Sequence, residues 1–210
     1  LTLNLYIAAM LEIFIQSFVL YFVVIDPLGN TPIFMTVTQQ QNIKEKNKTA
    51  IESVLIATII LVLFSVIGNF LLSYLNISLA AFRIAGGMIL FIIALEMLFN
   101  KRQQRKEKNI EKISDKVAIF PLAIPLLSGP AAITSVIVIV SNFGDNFLYQ
   151  LMGVASLISV MTITLILFLI VSKSEQFINK KVTNVFSRVI AIILAGLSVQ
   201  YIIDGILSLI

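Results

Sequence analysis

Six long apolar stretches separated by short polar segments set the pattern of this sequence. They lie near residues 11–39, 50–73, 79–99, 117–142, 147–171 and 184–208. A helix needs roughly 20 apolar residues to cross the hydrocarbon core of a bilayer, and each stretch reaches that length. The pattern therefore predicts an all-α polytopic membrane protein with six transmembrane helices.

Composition supports this prediction and removes several classes of function. The chain is 59% hydrophobic and only 12% charged, and its mean hydropathy is +1.01. It contains no cysteine and no histidine, which excludes disulfides, zinc sites of the usual kind, and nucleophiles activated by histidine. We therefore expect neither an enzyme nor a bound cofactor or metal.

The positive charges are concentrated in alternate loops. Seven of the 15 lysines and arginines lie in residues 101–116, and most of the others lie in the first and fifth loops. Under the positive-inside rule, these odd-numbered loops face the cytoplasm and both termini lie outside the cytoplasmic membrane. The basic run in residues 101–116 is thus interpreted as a topology signal, with binding of lipid headgroups as an alternative. It lacks interleaved aromatics, so nucleic acid is not an expected partner.

All five prolines fall into two clusters, which indicate an internal repeat. "PLGNTP" covers residues 27–32, and "PLAIPLLSGP" covers residues 121–130. Both contain Pro-x-x-x-x-Pro, one in the first apolar stretch and one in the fourth. We predict two three-helix repeats, residues 1–100 and 117–210, joined by the basic loop 101–116. Because each repeat has an odd number of spans, the second is inverted, as in many secondary transporters.

The prolines also predict that the first and fourth helices are broken. Proline removes a backbone donor and pushes the preceding residue out of helical geometry. We expect the first helix to end near Ile25 and to restart at Pro32, with Asn30 or Thr31 as its cap. The fourth should break after Ile124 and restart behind Ser128 and Gly129; the four prolines assigned to the breaks are Pro27, Pro32, Pro125 and Pro130. A simple packing kink is the alternative.

Two breaks facing a watery cavity would form a binding site for a small solute. Freed backbone groups are tolerated in a membrane only where protein or water satisfies them, and helix N-termini favour an anion. The candidate substrate-binding residues are Asp26, Gly29, Asn30, Thr31, Ser128, Gly129 and Thr134. Three roles are open to Asp26: binding a substrate ammonium group, carrying a proton, or a structural role as a cap or ion-pair partner.

Two arginines occupy corresponding positions in the third and sixth helices. Arg83 and Arg188 follow Phe82 and Phe186 in the two aligned segments. Either arginine is a candidate gate or ion-pair partner if it points inward; snorkelling to the headgroups is the alternative. Small residues in the same helices are expected to let helices approach closely; they are Gly86, Gly87, Ala191, Ala195 and Gly196.

Four phrases of the sequence, in order along the chain, resemble the MarC family of integral membrane proteins. They are "IDPLGNTPIF", "FRIAGGMILFIIALEMLF", "PLAIPLLSGPAAIT" and "VQYIIDGI". The resemblance implies a six-helix protein of the cytoplasmic membrane, related to the lysine-exporter-like superfamily. It also implies transport of small neutral amino acids such as alanine, glycine or serine, with the binding role on the two proline-bounded segments.

Together these observations lead to one hypothesis and two rivals. The hypothesis is a secondary transporter, an exporter or exchanger, that binds a small neutral amino acid between the two breaks. Its coupling ion would be a proton or sodium, and a homo-oligomer is compatible with the sequence. The rivals are a channel or permease for another small solute and a membrane scaffold that transports nothing.

Overall fold

The computed structural model describes residues 2–99, 118–143, 146–173 and 180–209, and its regular structure there is entirely helical. The elements in order are α1 Thr2–Ile25, α2 Pro27–Val37, α3 Ile43–Tyr74, α4 Leu79–Leu98, a π-helical segment Ala118–Leu127, α5 Pro130–Asn142, α6 Phe147–Lys173 and α7 Lys180–Leu207. The predicted basic loop 101–116 lies outside the described residues.

Five of the six predicted spans are long and apolar enough to cross a bilayer. They are Tyr6–Val37, Ile43–Tyr74, Leu79–Leu98, Phe147–Lys173 and Val185–Leu207. The predicted fourth span instead consists of the π-helical segment followed by α5, whose apolar part Pro130–Ser141 is too short to span alone. Large apolar side chains cover the outside of the bundle, as Val66 and Phe70, 72% and 74% exposed, illustrate. The chain therefore has the architecture of a multi-pass membrane protein.

Each span packs against its counterpart from the other half of the chain. In the third and sixth spans α4 packs along α7, and in the second and fifth α3 packs on α6. In the interrupted first and fourth spans, α1 contacts α5 and α2 contacts the π-helical segment. The division into two three-helix repeats, residues 1–100 and 117–210, stays a prediction.

Glycines allow the backbones of α4 and α7 to come into direct contact. A Cβ at Gly87 would lie 2.7 Å from the carbonyl oxygen of Ser198, and one at Gly205 would lie 3.0 Å from that of Ala80. The expectation of close approach is confirmed for Gly87. It is wrong for Gly196, which has nothing within 4 Å of the Cβ position, because this residue lies on a face of α7 that contacts no described helix.

Polar residues within the spans form hydrogen bonds between helices. The Ser141 hydroxyl of α5 is hydrogen-bonded to the Asn69 side chain of α3, and the Ser172 hydroxyl of α6 donates to Asn47 Oδ1, also on α3. Such side chains need protein partners because lipid offers none. These two bonds attach α3 to its neighbours near both of its ends.

Candidate functional site

The first helix break is a turn of one residue at Asp26. Helix α1 ends at Ile25, and α2 begins at Pro27. Asp26 has φ 56° and ψ 63°, the left-handed conformation, which aspartate and asparagine tolerate better than most residues with a Cβ. Pro27 occupies the first helical position of α2, where its fixed φ suits the helix and its missing N–H costs nothing. The predicted end of the first half-helix at Ile25 is confirmed.

Side chains replace the main-chain hydrogen bonds that this turn removes. The Gly29 N–H, which would reach the Ile25 carbonyl in a continuous helix, donates to Asp26 Oδ1 at 3.0 Å. The vacated Ile25 carbonyl accepts a hydrogen bond from Asn30 Nδ2 at 2.6 Å. From the next residue onward the backbone ladder resumes, since Asn30 N–H donates to the Asp26 carbonyl at 3.0 Å. Asp26 and Asn30 are thus structural parts of the break as well as polar groups within it.

Gly29 is required by the position of the Asp26 carboxylate. A Cβ at residue 29 would lie 2.2 Å from Asp26 Oδ2 and 2.7 Å from its Cγ. Any side chain here would displace the carboxylate and break the cap. Gly29 therefore contributes to the candidate site by leaving room for the acid.

Two sequence expectations about this break are wrong. Helix α2 starts at Pro27, not at Pro32, and its cap is Asp26 rather than Asn30 or Thr31. Pro32 lies inside α2, which continues through it to Val37. The Thr31 hydroxyl donates to the Pro27 carbonyl at 2.7 Å. Because the Thr31 hydroxyl proton is used in this bond, the hydroxyl oxygen can form further hydrogen bonds only as an acceptor.

The second break lies between Leu127 and Pro130. The π-helical segment ends at Leu127, and both the N–H and the hydroxyl of Ser128 donate to the Ala123 carbonyl, at 3.0 and 2.8 Å. Gly129 is extended, with φ −74° and ψ 172°, and α5 begins at Pro130. The predicted restart at Pro130 is confirmed.

The predicted end of the fourth half-helix after Ile124 is wrong. Position 125 lies within the π-helical segment, which Pro125 does not terminate. The rule that proline ends a helix rests on the α-helical pairing of each N–H with the carbonyl four residues earlier. A π-helical turn pairs each N–H with the carbonyl five residues earlier, so the rule does not apply there unchanged.

The two breaks lie within one packed bundle. Helix α1 contacts α5, while α2 contacts the π-helical segment, so the two interrupted stretches pack against each other in opposite directions. Apolar residues at both breaks, including Ile25, Leu127 and Ala131, belong to the buried core of the described residues. The predicted polar residues at and near the breaks are buried as well; they are Asp26, Asn30, Thr31, Ser128 and Thr134.

The breaks differ in the charge that they offer. At the first, the Asp26 carboxylate already occupies the positive end of the α2 dipole. At the second, the cap residue is Gly129, which has no side chain to bond the first turn of α5. That turn therefore presents the backbone N–H groups of Ala131 and Ala132. One break provides an anionic oxygen, and the other provides backbone donors.

The remaining predicted residues lie in different surroundings. Thr134 is buried, and its methyl group lies against Gly86, where a Cβ would be 2.5 Å from Thr134 Cγ2. Arg83 on α4 is half-buried with its Nε fully enclosed, whereas Arg188 on α7 is exposed. Arg188 thus fits the snorkelling alternative, and Arg83 fits an inward position.

A buried tyrosine near the first break was not predicted. Tyr21 is 1% exposed and lies in the last turns of α1, and its hydroxyl has no hydrogen-bond partner among the described residues. Nothing in an apolar stretch of sequence distinguishes this residue from a packing aromatic.

Comparison with known sequences covers nearly the whole chain. The sequence profile of the MarC family integral membrane proteins matches residues 11–210. A UPF0056 membrane protein of Archaeoglobus fulgidus is 34% identical over 202 residues, covering 95% of this chain and 94% of the relative. One of Methanocaldococcus jannaschii is 33% identical over 203 residues, covering 95% and 89%.

A more distant relative shows the same extent of similarity. The UPF0056 membrane protein of Aquifex aeolicus is 29% identical over 205 residues, covering 94% of both chains. No solved structure matches the chain. Both helix breaks lie inside the matched region.

Proposed function

The chain belongs to the MarC family of integral membrane proteins, as its four motifs indicate, and from this premise we propose that it is a secondary transporter of small neutral amino acids. It would work as an exporter or exchanger in the cytoplasmic membrane, with alanine, glycine or serine as substrate. The basic loops would face the cytoplasm and both termini would lie outside.

The observation that carries the proposal is the opposite polarity of the two breaks, which lie in stretches that pack against each other. A zwitterionic amino acid has an ammonium group and a carboxylate on one carbon atom. The Asp26 carboxylate suits the ammonium group, and the uncapped first turn of α5 suits the carboxylate. Only the N-terminus of α5 is proposed to hold the carboxylate, because the Asp26 side chain already caps the N-terminus of α2.

The hydroxyls at the breaks support an ammonium ligand. The Thr31 and Ser128 hydroxyls both donate to backbone carbonyls, at 2.7 and 2.8 Å. Their oxygens are left as acceptors, and an ammonium group has only donors to offer. The proposed site would thus surround the ammonium group with oxygens.

Small residues suit a small substrate. Gly29 has no space for a side chain, and Ala131 and Ala132 at the start of α5 are buried. An amino acid with a large side chain would have to displace these groups or the helices that carry them. The proposal therefore favours substrates with at most one or two side-chain heavy atoms.

Transport would follow from motion of one repeat against the other. In transporters with inverted repeats, the site near the midplane opens to alternate sides as one repeat rocks against its partner. The α1–α5 contact on one side of the breaks and the contact between α2 and the π-helical segment on the other are the surfaces that would separate in turn. A proton or sodium ion would couple the cycle to a gradient.

Counterflow in proteoliposomes tests the proposal against its rivals. Vesicles are loaded with unlabelled alanine, glycine or serine, and labelled amino acid is added outside at trace concentration. A carrier predicts transient accumulation of label above the level of empty vesicles. A channel predicts equilibration without accumulation, and a scaffold predicts neither; either result would reject the transporter.

A matched pair of serines tests the proposed site. Ser128 and Ser135 are both buried in the interrupted fourth span, and each hydroxyl donates to a backbone carbonyl at 2.8 Å. Only Ser128 lies at the break. Ser128→Ala should lower the counterflow rate at least fivefold while Ser135→Ala leaves it within twofold, and equal rates would remove Ser128 from the site.

A further inference from the structure

A hydrogen-bonded polar pair lies on the outward face of α1. Gln16 Nε2 donates to Glu12 Oε1 at 3.0 Å, and both side chains are exposed. Their spacing of four residues places them on the same side of the helix, beside Leu11, Ile15 and Val19, which are also exposed. These five residues form the α1 surface, in which a carboxylate and an amide interrupt side chains suited to lipid.

The depth of this pair follows from an aromatic contact between α1 and α6. The rings of Tyr6 and Tyr149 are stacked with centroids 6.1 Å apart, and both residues lie at the start of their spans. Tyrosine is enriched at the interface between membrane and water. The helical rise along α1 from Tyr6 is roughly 9 Å to Glu12 and roughly 15 Å to Gln16. Gln16 therefore lies near the middle of a hydrocarbon core that is about 30 Å thick.

The contact with Glu12 uses only part of the Gln16 amide. An amide side chain has two N–H donors and a carbonyl oxygen that accepts. One N–H of Gln16 donates to Glu12, and the side chain makes no other hydrogen bond within the part of the chain that the structure describes. Lipid tails supply neither donors nor acceptors. One donor and one acceptor of Gln16 therefore need a partner from protein.

We propose that the α1 surface is the contact between two copies of this protein, with Gln16 at its centre. Two copies with the same orientation in the membrane are related by a two-fold axis along the membrane normal. A two-fold interface places the same surface of each copy opposite itself. The free N–H of each Gln16 donates to the side-chain carbonyl oxygen of Gln16 in the other copy.

The hydrogen-bonding groups left on Gln16 favour a second copy as the occupant. One donor and one acceptor on the same amide are complementary to an identical amide related by a two-fold axis, so one contact satisfies both. Glu12 accepts the other N–H and so holds the amide in a fixed orientation. Amide side chains form hydrogen bonds between helices in membranes, and a single amide in an apolar seam fixes the register of paired helices.

The absence of cysteine from the sequence allows the contact to be located by disulfide formation. Ile15→Cys and Ile158→Cys form a matched pair, because the two isoleucines are 50% and 47% exposed. They also share one depth, since each lies nine residues after one of the stacked tyrosines, Tyr6 and Tyr149. After oxidation of the purified, reconstituted variants with copper phenanthroline, Ile15→Cys should give at least five times more disulfide-linked dimer than Ile158→Cys. Equal yields, or no dimer from Ile15→Cys, would overturn the proposal.

The role of the amide is tested by measuring the affinity between copies. Protein labelled with donor or acceptor dye at Phe147→Cys, at the exposed start of α6, is diluted with lipid while energy transfer is recorded. Gln16→Leu should raise the dissociation constant of the dimer at least threefold. Thr162→Val is the control and should stay within twofold, because the exposed Thr162 hydroxyl already donates to the Ile158 carbonyl of its own helix at 2.8 Å. An unchanged constant for Gln16→Leu would contradict the proposal.

The same measurements distinguish the other possible occupants of the α1 surface. Energy transfer no greater than that of randomly mixed monomers would mean that the surface faces lipid, and the proposal would be wrong. Cross-linking of Ile15→Cys in native membranes to a different protein only would assign the surface to that protein and would equally reject a second copy. Neither measurement uses transport, so this proposal and the proposed function can fail independently.

Discussion

The carboxylate of Asp26 lies directly over the α-carbon of Gly29. Its Oδ1 accepts the Gly29 N–H at 3.0 Å, and its Oδ2 occupies the space where a side chain of residue 29 would begin, 2.2 Å from the Cβ position. This pair closes the first break, and it also holds a negative charge among buried groups. The same contact thus serves the fold and the proposed binding of an ammonium group.

Gly29→Ala should destabilise the protein by displacing this carboxylate. Losing the cap alone costs about 1 kcal/mol, and a displaced carboxylate near buried apolar groups adds to it. Gly196→Ala is the matched control, because nothing lies within 4 Å of its Cβ position. Thermal unfolding in detergent, followed by circular dichroism, should show a lower Tm for the first variant and an equal or higher Tm for the second. Equal losses would contradict the contact.

Asn30→Leu should lower stability because it leaves a carbonyl without a donor. Asn30 Nδ2 donates to the Ile25 carbonyl at 2.6 Å, and an unsatisfied buried carbonyl costs about 1–3 kcal/mol. Thr36→Val is the comparison, since its hydroxyl donates to the Pro32 carbonyl at 3.0 Å but the residue is exposed. Of these two variants, only Asn30→Leu should have a clearly lower Tm than the wild type. An undiminished Tm would mean that Ile25 finds another donor.

Gly87→Ala should separate α4 from α7. The new methyl group would lie 2.7 Å from the Ser198 carbonyl oxygen, which is backbone and cannot rotate away. Overpacking of this kind costs roughly 1–3 kcal/mol. Thermal unfolding should show the loss, and Gly196→Ala again provides the control. Unchanged stability would show that the two helices can shift at little cost.

Phe34 and Phe168 should be energetically coupled. Their rings are stacked with centroids 4.4 Å apart and an angle of 10°, and both are fully buried between α2 and α6. Aromatic pairs contribute about 0.5–1.5 kcal/mol beyond the area that they bury. A double-mutant cycle with leucine at each position should give a coupling free energy in this range. Strict additivity would mean that the contact contributes nothing specific.

The sequence predicted the first break well, because the rule applied there is local. Proline fixes the conformation of its own residue and restricts the one before it, so the end of α1 at Ile25 followed from Pro27. The identity of the residue that caps α2 could not be predicted in the same way. Whether Asp26 or Asn30 closes the break depends on the left-handed turn at Asp26, and several polar residues in the same segment would have suited the cap position.

The second break shows a different limit. Pro125 suggested an end after Ile124, but the π-helical segment continues to Leu127. A widened turn that tolerates proline has no distinct sequence pattern. Ser128 was correctly assigned to the break, although its use of the Ala123 carbonyl depends on this wider turn.

Contacts between helices were the least predictable part. Nothing in the sequence around Asn69 indicated that its hydrogen-bond partner is Ser141, which lies 72 residues away on α5. Arg83 and Arg188 occupy equivalent sequence positions, yet one is half-buried and the other exposed. Such differences arise from packing between distant segments, and periodicity within one segment does not record them.

The charge of Asp26 is the central feature of the account, and Asp26→Asn isolates it. Asparagine tolerates the left-handed conformation and caps helices as well as aspartate does, so the break should persist while the charge is removed. The decisive measurement is the initial rate of labelled alanine counterflow by equal amounts of folded wild-type and Asp26→Asn protein. We predict a fall of at least tenfold; a rate equal to that of the wild type would contradict the claim that this carboxylate binds the substrate.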